Sequence, residues 1–205
     1  MSQSPHAAGL AGPPRLPLLP LHSVLFPGGT LALRVFEPRY LSLASECLRQ
    51  ESTFGICLIT GDAESGAPVH PRRVGVEARI VAGDMTRPGT LALTVRGLER
   101  FRVLAQVTDA QGLIRADVAP LAAAPRVAVP RRLAALVPLL QAMVADAGAV
   151  RLPPPHDFAD ASWVGYRFCE LLPIPAAARQ KLLELDDPVS RLEIVFKFLS
   201  QRALV

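Results

Sequence analysis

Four stretches of this chain place chemistry-capable side chains side by side. His22 and Ser23 adjoin, as a general base and a nucleophilic hydroxyl would. Nucleophilic catalysis also needs a third group to orient the base and, on the commonest scaffold, a G-x-S-x-G elbow, and the sequence has no such elbow. His22 therefore reads as a surface strand histidine. The segment "GDAESGAPVHPRR", residues 61 to 73, carries Asp62 and Glu64, two carboxylates at a spacing that general acid–base chemistry could use. Its Gly, Ser and Pro content reads instead as a solvated loop, long enough to serve as a contact surface. In "LRVFEPRYLSL", Glu37, Arg39 and Tyr40 interrupt an apolar run. Trp163 and Tyr166, three apart on one helix, form either an aromatic platform for a ligand or base, or packing between two halves of the molecule.

Metal and cofactor chemistry find little footing. His6, His22, His70 and His156 lack the i, i+4 or C-x-x-C spacing of a zinc site, so no metal ligands are assigned. Cys47, Cys57 and Cys169 are an odd number and far apart, which reads as buried free thiols in a cytoplasmic chain. No G-x-x-x-x-G-K-[ST] and no G-x-G-x-x-G after a strand occurs, and "PGG" at 27 to 29 lacks the lysine and helix of a phosphate cradle. It reads as a tight turn. No cofactor or catalytic residue is assigned, and the chain reads as a non-enzyme.

Charge and length narrow the classes further. The net charge is +4, and of the 22 basic residues all but Lys181 and Lys197 are arginine. They are scattered. The pairs Arg72–Arg73 and Arg131–Arg132 fall short of a basic run, so nucleic acid is a partner the charge permits without favouring. No stretch approaches the roughly 20 apolar residues that span a bilayer, and the first fourteen residues, "MSQSPHAAGLAGPP", lack the basic and apolar regions of a signal peptide. The expectation is a soluble, cytoplasmic protein with a flexible leader at 1–14. Oligomeric state is not legible.

The elements that must position these residues divide the chain in two. From Leu16 to about Leu121, short apolar runs alternate with Gly and Pro: "LPLLPLHSVL", "TLALRVF", "TFGICLIT", "GVEARIVAGDM", "TLALTVRGLERFRVLAQV" and "LIRADVAPL". In the fifth, Leu91, Leu93 and Val95 share a face opposite Thr94 and Arg96. Gly97 breaks the phase, after which Phe101 and Val103 point inward and Arg100 and Arg102 outward, the mark of a bulge. Six strands with such a bend predict a closed or nearly closed barrel over 15–124.

Past Pro125 the period becomes helical, and 125–205 reads as a helical bundle. Leu133, Leu136, Val137, Leu140 and Val144 mark one helix ending near Gly148, with Pro138 imposing a kink or a later start. "DASWVGYRFCELL" and "AAARQKLLEL" make two more. The last begins at the N-cap Asp187 with Pro188 in its first turn and lays down a stripe of Leu192, Val195, Phe196 and Leu199. The cluster at Glu37 resolves by the same logic. Pro38 opens a short helix whose apolar side is Leu41, Leu43, Ala44 and Leu48, and Glu37 sits at its positive end.

Read in order, "LPLLPLHSVLFPGGTLALRVFEPRYL", "FGICLITGDAESG", "GVEARI", "GLERFRV" and "WVGYRFCELLPI…KLLELDDPVSRLEIVFKFL" resemble the N-terminal substrate-binding domain of Lon proteases, in its free-standing bacterial version. The pieces that carry the resemblance are the "LFPGG" turn, the "FEPRY" corner, "FG" at 54 and 55, G-x-x-RF at 97 to 101, and "LLP" in the helical half. One departure is the tip "MTRPGT", where relatives carry an Asp-Gly-Arg type of turn. The resemblance implies an α+β chain with a PUA-like β-barrel followed by a helical bundle. It also implies that Phe36, Glu37, Pro38, Arg39, Tyr40, Phe54, Gly55, Gly97, Arg100, Phe101 and Trp163 build the fold or contact a partner. That partner would be an unfolded or client polypeptide, or a separate protease. RNA and a small molecule in a cleft between the halves are the alternatives.

Overall fold

The computed structural model describes residues 15–59 and 70–202. The leader at 1–14 and most of the acidic loop at 61 to 73 lie outside the described residues, as do 203–205. Six strands appear where the alternation places them: β1 Leu16–Leu21, β2 Thr30–Val35, β3 Phe54–Ile59, β4 Pro71–Arg87, β5 Thr90–Thr108 and β6 Ile114–Pro120. The order is β2-β5-β4-β3-β1-β6, and a further pairing of β5 with β6 closes five of the strands into a ring. Only β1 and β3 run parallel; the other pairs are antiparallel. β4 and β5 span 17 and 19 residues, longer than the short strands the turn signals suggest. Their length is what closes the ring: β5 pairs with β2 through Leu91 to Arg96 and with β6 through Phe101 to Thr108.

The bend between those two halves of β5 falls at the expected place. Opposite β4, the register steps from Val76↔Arg100 to Ala78↔Gly97, leaving Leu98 and Glu99 against the single residue Glu77. Side chains alternate along a strand, so the extra residue exchanges faces. Before it, Leu93 and Val95 join the core shared with the helices; after it, Phe101 and Val103 join a small cluster with Leu18, Cys57 and Ala116 inside the ring. Two glycines make room there. A Cβ added at Gly55 or Gly75 would stand 2.6 or 2.7 Å from Phe101 Cζ. The ring of Phe101 fills the volume that their side chains would occupy.

The helical half comprises a 3-10 turn at Arg131–Leu133, α2 Leu136–Arg151, α3 Ala161–Leu171, α4 Ala176–Glu184 and α5 Pro188–Ser200. Pro138 is accommodated by a later start, in the first turn of α2, and Gly148 leaves the helical region at φ 75°. Asp160 and Asp187 cap α3 and α5 by accepting from Ser162 and Trp163, and from Val189 and Ser190. Leu192, Val195 and Leu199 are buried and Phe196 partly so, as the stripe requires. The large apolar cluster runs without a break from β1, β3, β4 and β5 into these helices. No described helix is long and apolar enough to cross a membrane.

Two orientations differ from the pattern. α1, Pro38–Gln50, buries Leu43, Ala44 and Cys47, while Leu48 is half exposed because its position turns away from the barrel. Arg100, expected outward, does leave the barrel interior but enters the layer beneath α4 and is only 3% exposed. The strand alternation gave the face correctly; it could not show that the outer face was covered.

Replacing Phe101 by Ala removes the ring that closes over Gly55 and Gly75, and truncation of a buried phenylalanine costs about 3–5 kcal/mol. A urea titration of the variant is expected to show that loss as a markedly lower midpoint with a cooperative transition retained.

Candidate functional site at the seam between barrel and helices

The turn between β1 and β2 is built from Phe26, Pro27, Gly28 and Gly29. Gly28 holds φ at 72°, a backbone conformation that glycine adopts without a Cβ penalty. Its N–H donates to the Gly97 carbonyl at 2.9 Å, and Gly97 N–H donates back to the Gly29 carbonyl at 2.9 Å. A Cβ at Gly97 would come within 2.3 Å of the Phe26 carbonyl oxygen, so the "LFPGG" turn and the bulge of β5 lie backbone against backbone. Two motifs that are separate in sequence form one structural unit.

α3 clamps that unit. Arg167, 3% exposed, donates through Nη2 to the Pro27 carbonyl at 2.8 Å and to Glu170 at 2.9 Å. Glu170 in turn covers Gly29, where an added Cβ would stand 1.8 Å from Oε1. Burial pushes the Glu170 carboxyl up to about 7, against the downward pull of Arg167, Arg179 and Arg151. Burial also lowers the pKa of Arg167, and the like charge of Arg96 adds to that direction.

Two clefts open at this seam and share Thr30 and Leu152. The first, about 470 Å³, is lined by Arg96, Arg126, Arg167, His156, Trp163 and Gly28, among others. The rings of His156 and Trp163 line it, tilted to one another with centroids 5.7 Å apart, and Phe158 packs edge-on against both at 5.7 and 5.0 Å. The second, about 450 Å³, is lined by Leu25, Leu31, Arg151, Glu170 and Arg179. Both lie in the volume range of small ligand sites. Two other concavities differ in character. One of about 640 Å³ is lined by Arg72, Arg73, Arg102 and Glu184. Another, of about 610 Å³ and lined by residues of α1 and the barrel, holds charges of both signs, of which Arg15 pairs with Asp117 and Arg115 with Glu46.

The predicted residues scatter over this framework. Gly97 and Trp163 belong to the seam. Phe54 packs in the large core, while Gly55 and Phe101 are in the barrel interior. Arg100 donates to the Leu183 and Ala122 carbonyls and pairs with Asp186 at 2.9 Å. The corner from Phe36 to Tyr40 stands apart: Arg39 donates to the Gly112 carbonyl at 3.1 Å and to Glu37 and lies over the Tyr40 ring, while Phe36 is 66% exposed. Burial raises the Tyr40 pKa. Tyr166 packs on Phe26 as core, whereas its neighbour Trp163 reaches the cleft. The three cysteines are buried free thiols, and burial pushes Cys57 and Cys169 up to about 12. Among the described residues no group of three or more His, Cys, Asp or Glu could hold a metal ion. Sequence reading passed over Arg96, Arg167, Glu170 and Arg191. The available signal was an arginine within an otherwise apolar helix face, as at Arg191 beside Leu192 and Val195.

The family model for the ATP-dependent protease La (LON) substrate-binding domain matches residues 15–201. This chain belongs to that family. The crystal structure of a Lon N-terminal domain protein from Xanthomonas campestris superposes with a TM-score of 0.74 at 38% identity, covering 89% of this chain and 96% of that one. The N-terminal domain of a Mycobacterium avium complex Lon protease shares the fold, with a TM-score of 0.61 at 19% identity over 90% of this chain and 97% of that one. In sequence, a Lon protease from Anaeromyxobacter dehalogenans is 34% identical over 99 residues, 47% of this chain, and Lon protease 2 of Myxococcus xanthus is 34% identical over 100 residues, 48% of this chain. The match spans only 12% of the length of each of those two proteases. The family's domain fills nearly all of the chain, which itself holds no ATPase or protease domain.

Two variants check the electrostatics. Glu170 holds its proton to about pH 7 when folded but releases it near 4.3 when unfolded. Its contribution to stability is therefore complete below about pH 4.3 and is lost as pH rises through 7. Melting curves of Glu170→Gln against the parent should show a difference that moves in the variant's favour between those limits and stays level above about pH 8. Arg39→Ala removes two partly exposed hydrogen bonds and should cost about 1 kcal/mol in denaturant titrations.

Proposed function

We propose that this chain is a non-catalytic, ATP-independent binding module of the cytoplasm whose clients are polypeptides in unfolded or extended form, working beside a separate protease or as an adaptor. The observation that carries the reading is the family's substrate-binding domain extending over residues 15–201. The seam supports it. Its first cleft joins an aromatic wall to guanidinium groups, a combination that receives apolar side chains and donates to backbone carbonyls and carboxylates of an extended chain. Phe36, Leu104 and Met85, each more than 60% exposed, add apolar contact area outside the cleft.

A second reading, RNA, has one specific observation in its favour: Arg72, Arg73 and Arg102 line the concavity of about 640 Å³. Among the described residues that groove has no Phe, Tyr or Trp on which single-stranded bases stack, and His70 is its one aromatic ring. The two readings separate in one assay. Fluorescence anisotropy against a reduced, carboxymethylated protein, the same protein in native form, and a short single-stranded RNA is expected to show binding of the unfolded chain alone. That binding should depend weakly on salt. Equal affinity for native and unfolded forms would sink the client reading, and tight RNA binding that falls steeply with salt would replace it.

A further inference from the structure

We propose that the cleft of about 470 Å³ at the seam is a carboxylate-capture site, taking a carboxylate carried beside an apolar or aromatic side chain. The inference rests on the polypeptide-binding reading and names the group that the polypeptide presents. Arg96, Arg126 and Arg167 line the cleft together. Arg126 is taken up by Asp157 at 2.8 Å. Arg167 is engaged on one side only. Its Nη2 serves both Pro27 and Glu170, its buried Nε has no hydrogen-bond partner among the described residues, and its Nη1 lies 3.8 Å from where a Cβ on Gly28 would be. Because that position is glycine, no side chain from the turn lies over this edge of the guanidinium, which contributes to the cleft lining although Arg167 as a whole is buried. Arg96 makes no ion pair among the described residues, which leaves it the uncompensated cation of the cleft.

The balance of charge selects the ligand. Asp157 pairs with Arg126 and Glu170 contacts Arg167, whereas Arg96 has no ion-pair partner among the described residues, so the cleft keeps a surplus of positive charge for an anion to offset. A planar carboxylate matches the planar donor fork of arginine. Beside the cations the lining is apolar: Trp163, Leu152 and Pro155 contribute to it, and Arg167 lies 5.8 Å from the centroid of the Trp163 ring. An isolated small anion leaves that lining unused. A residue whose side chain lies on Trp163 while its carboxylate meets Arg96 and Arg167 uses both. In a polypeptide the group comes from the free C-terminus or from an internal Asp or Glu next to an apolar residue.

The test begins with the smallest probe. N-acetylphenylalanine and its amide are titrated into isotopically labelled protein and followed by NMR. The acid is expected to shift the indole N–H of Trp163 and to bind about tenfold tighter than the amide, the worth of one charge-assisted hydrogen-bond pair. Arg96→Gln, at an exposed strand position without partners among the described residues, should reduce that ratio to near one while leaving the melting temperature unchanged; Arg72→Gln should leave the ratio intact. Equal binding of acid and amide, or a ratio that Arg96→Gln does not alter, overturns the proposal. So does inorganic phosphate binding more tightly than the acid. Peptides then locate the source: a preference for a free over an amidated C-terminus assigns the chain end, and a preference that follows an internal Asp assigns the side chain. Binding of the unfolded protein that persists unchanged in Arg96→Gln overturns the carboxylate site alone. Acid-selective binding of the small probe without any binding of unfolded protein overturns the client reading alone.

Discussion

Guanidinium groups bonded to backbone carbonyls fasten this molecule, two of them across the seam between barrel and helices and two within the helical half. Arg191, fully buried, donates through Nε to the Leu182 carbonyl at 2.9 Å and through Nη2 to that of Leu185, while its plane lies 4.1 Å from the Tyr166 ring centroid. Arg100 reaches from the barrel to the Leu183 carbonyl at 2.9 Å. Both therefore converge on the C-terminal end of α4, where the last carbonyls have no helical partner and the helix dipole is negative. Arg179 does the same for the end of α3 through the Leu172 carbonyl, and Arg167 does it for the β1–β2 turn. Buried charges usually need a counter-charge, because losing water costs several kcal/mol per ion. For Arg191, which has no ion pair among the described residues, carbonyl dipoles and the Tyr166 ring take that place, while Arg100 and Arg167 each add a carboxylate to their carbonyl partners.

That arrangement calls for arginine rather than lysine at the buried positions, Arg100, Arg167 and Arg191. An ammonium is a compact point charge, whereas a guanidinium offers five donors in a fixed plane and holds its proton under desolvation that would neutralise lysine. The pKa values of Arg167 and Arg191 are lowered by burial, a shift that starts from a value too high for it to discharge the group. A chain whose seam is fastened in this way can accept arginine at positions where a lysine would lose its charge. Lys181 and Lys197, the two exceptions, are both exposed.

Much of the fold was legible because local rules and tertiary packing agree. Alternation, Gly and Pro punctuation and the Asp187–Pro188 start all reappear, and the bulge announced by Gly97 sits where the phase breaks. The failures share one cause. Periodicity reports which face a residue is on, not what covers that face. Leu48 was placed with the apolar side of α1 but stands half exposed, and Arg100 was placed with the solvent but lies under α4. The candidate site was legible only in fragments. "LFPGG", Gly97 and Trp163 each stood out singly, yet their meeting depends on a contact between the β1–β2 turn and the bulge some seventy residues later. Arg167 and Glu170 read as ordinary helix residues until that turn is laid against them.

The position of the cleft follows from the same contact. Carbonyls at the end of α4 accept from both nearby arginines, whose guanidinium groups are turned inward away from both clefts of the seam, although Nη1 of Arg191 is left without a partner among the described residues. At the β1–β2 turn the geometry is less complete. One carbonyl, that of Pro27, and one carboxylate, Glu170, meet a single nitrogen of Arg167, and two glycines keep the turn too thin to wrap the rest. Thinness is imposed by the close approach of Gly97 to Phe26, not by any requirement of a ligand. The seam thus acquires a partly unsatisfied cation as a consequence of how the barrel is joined to the helices, and Arg96, fixed next to Gly97 in the strand, adds a second beside it.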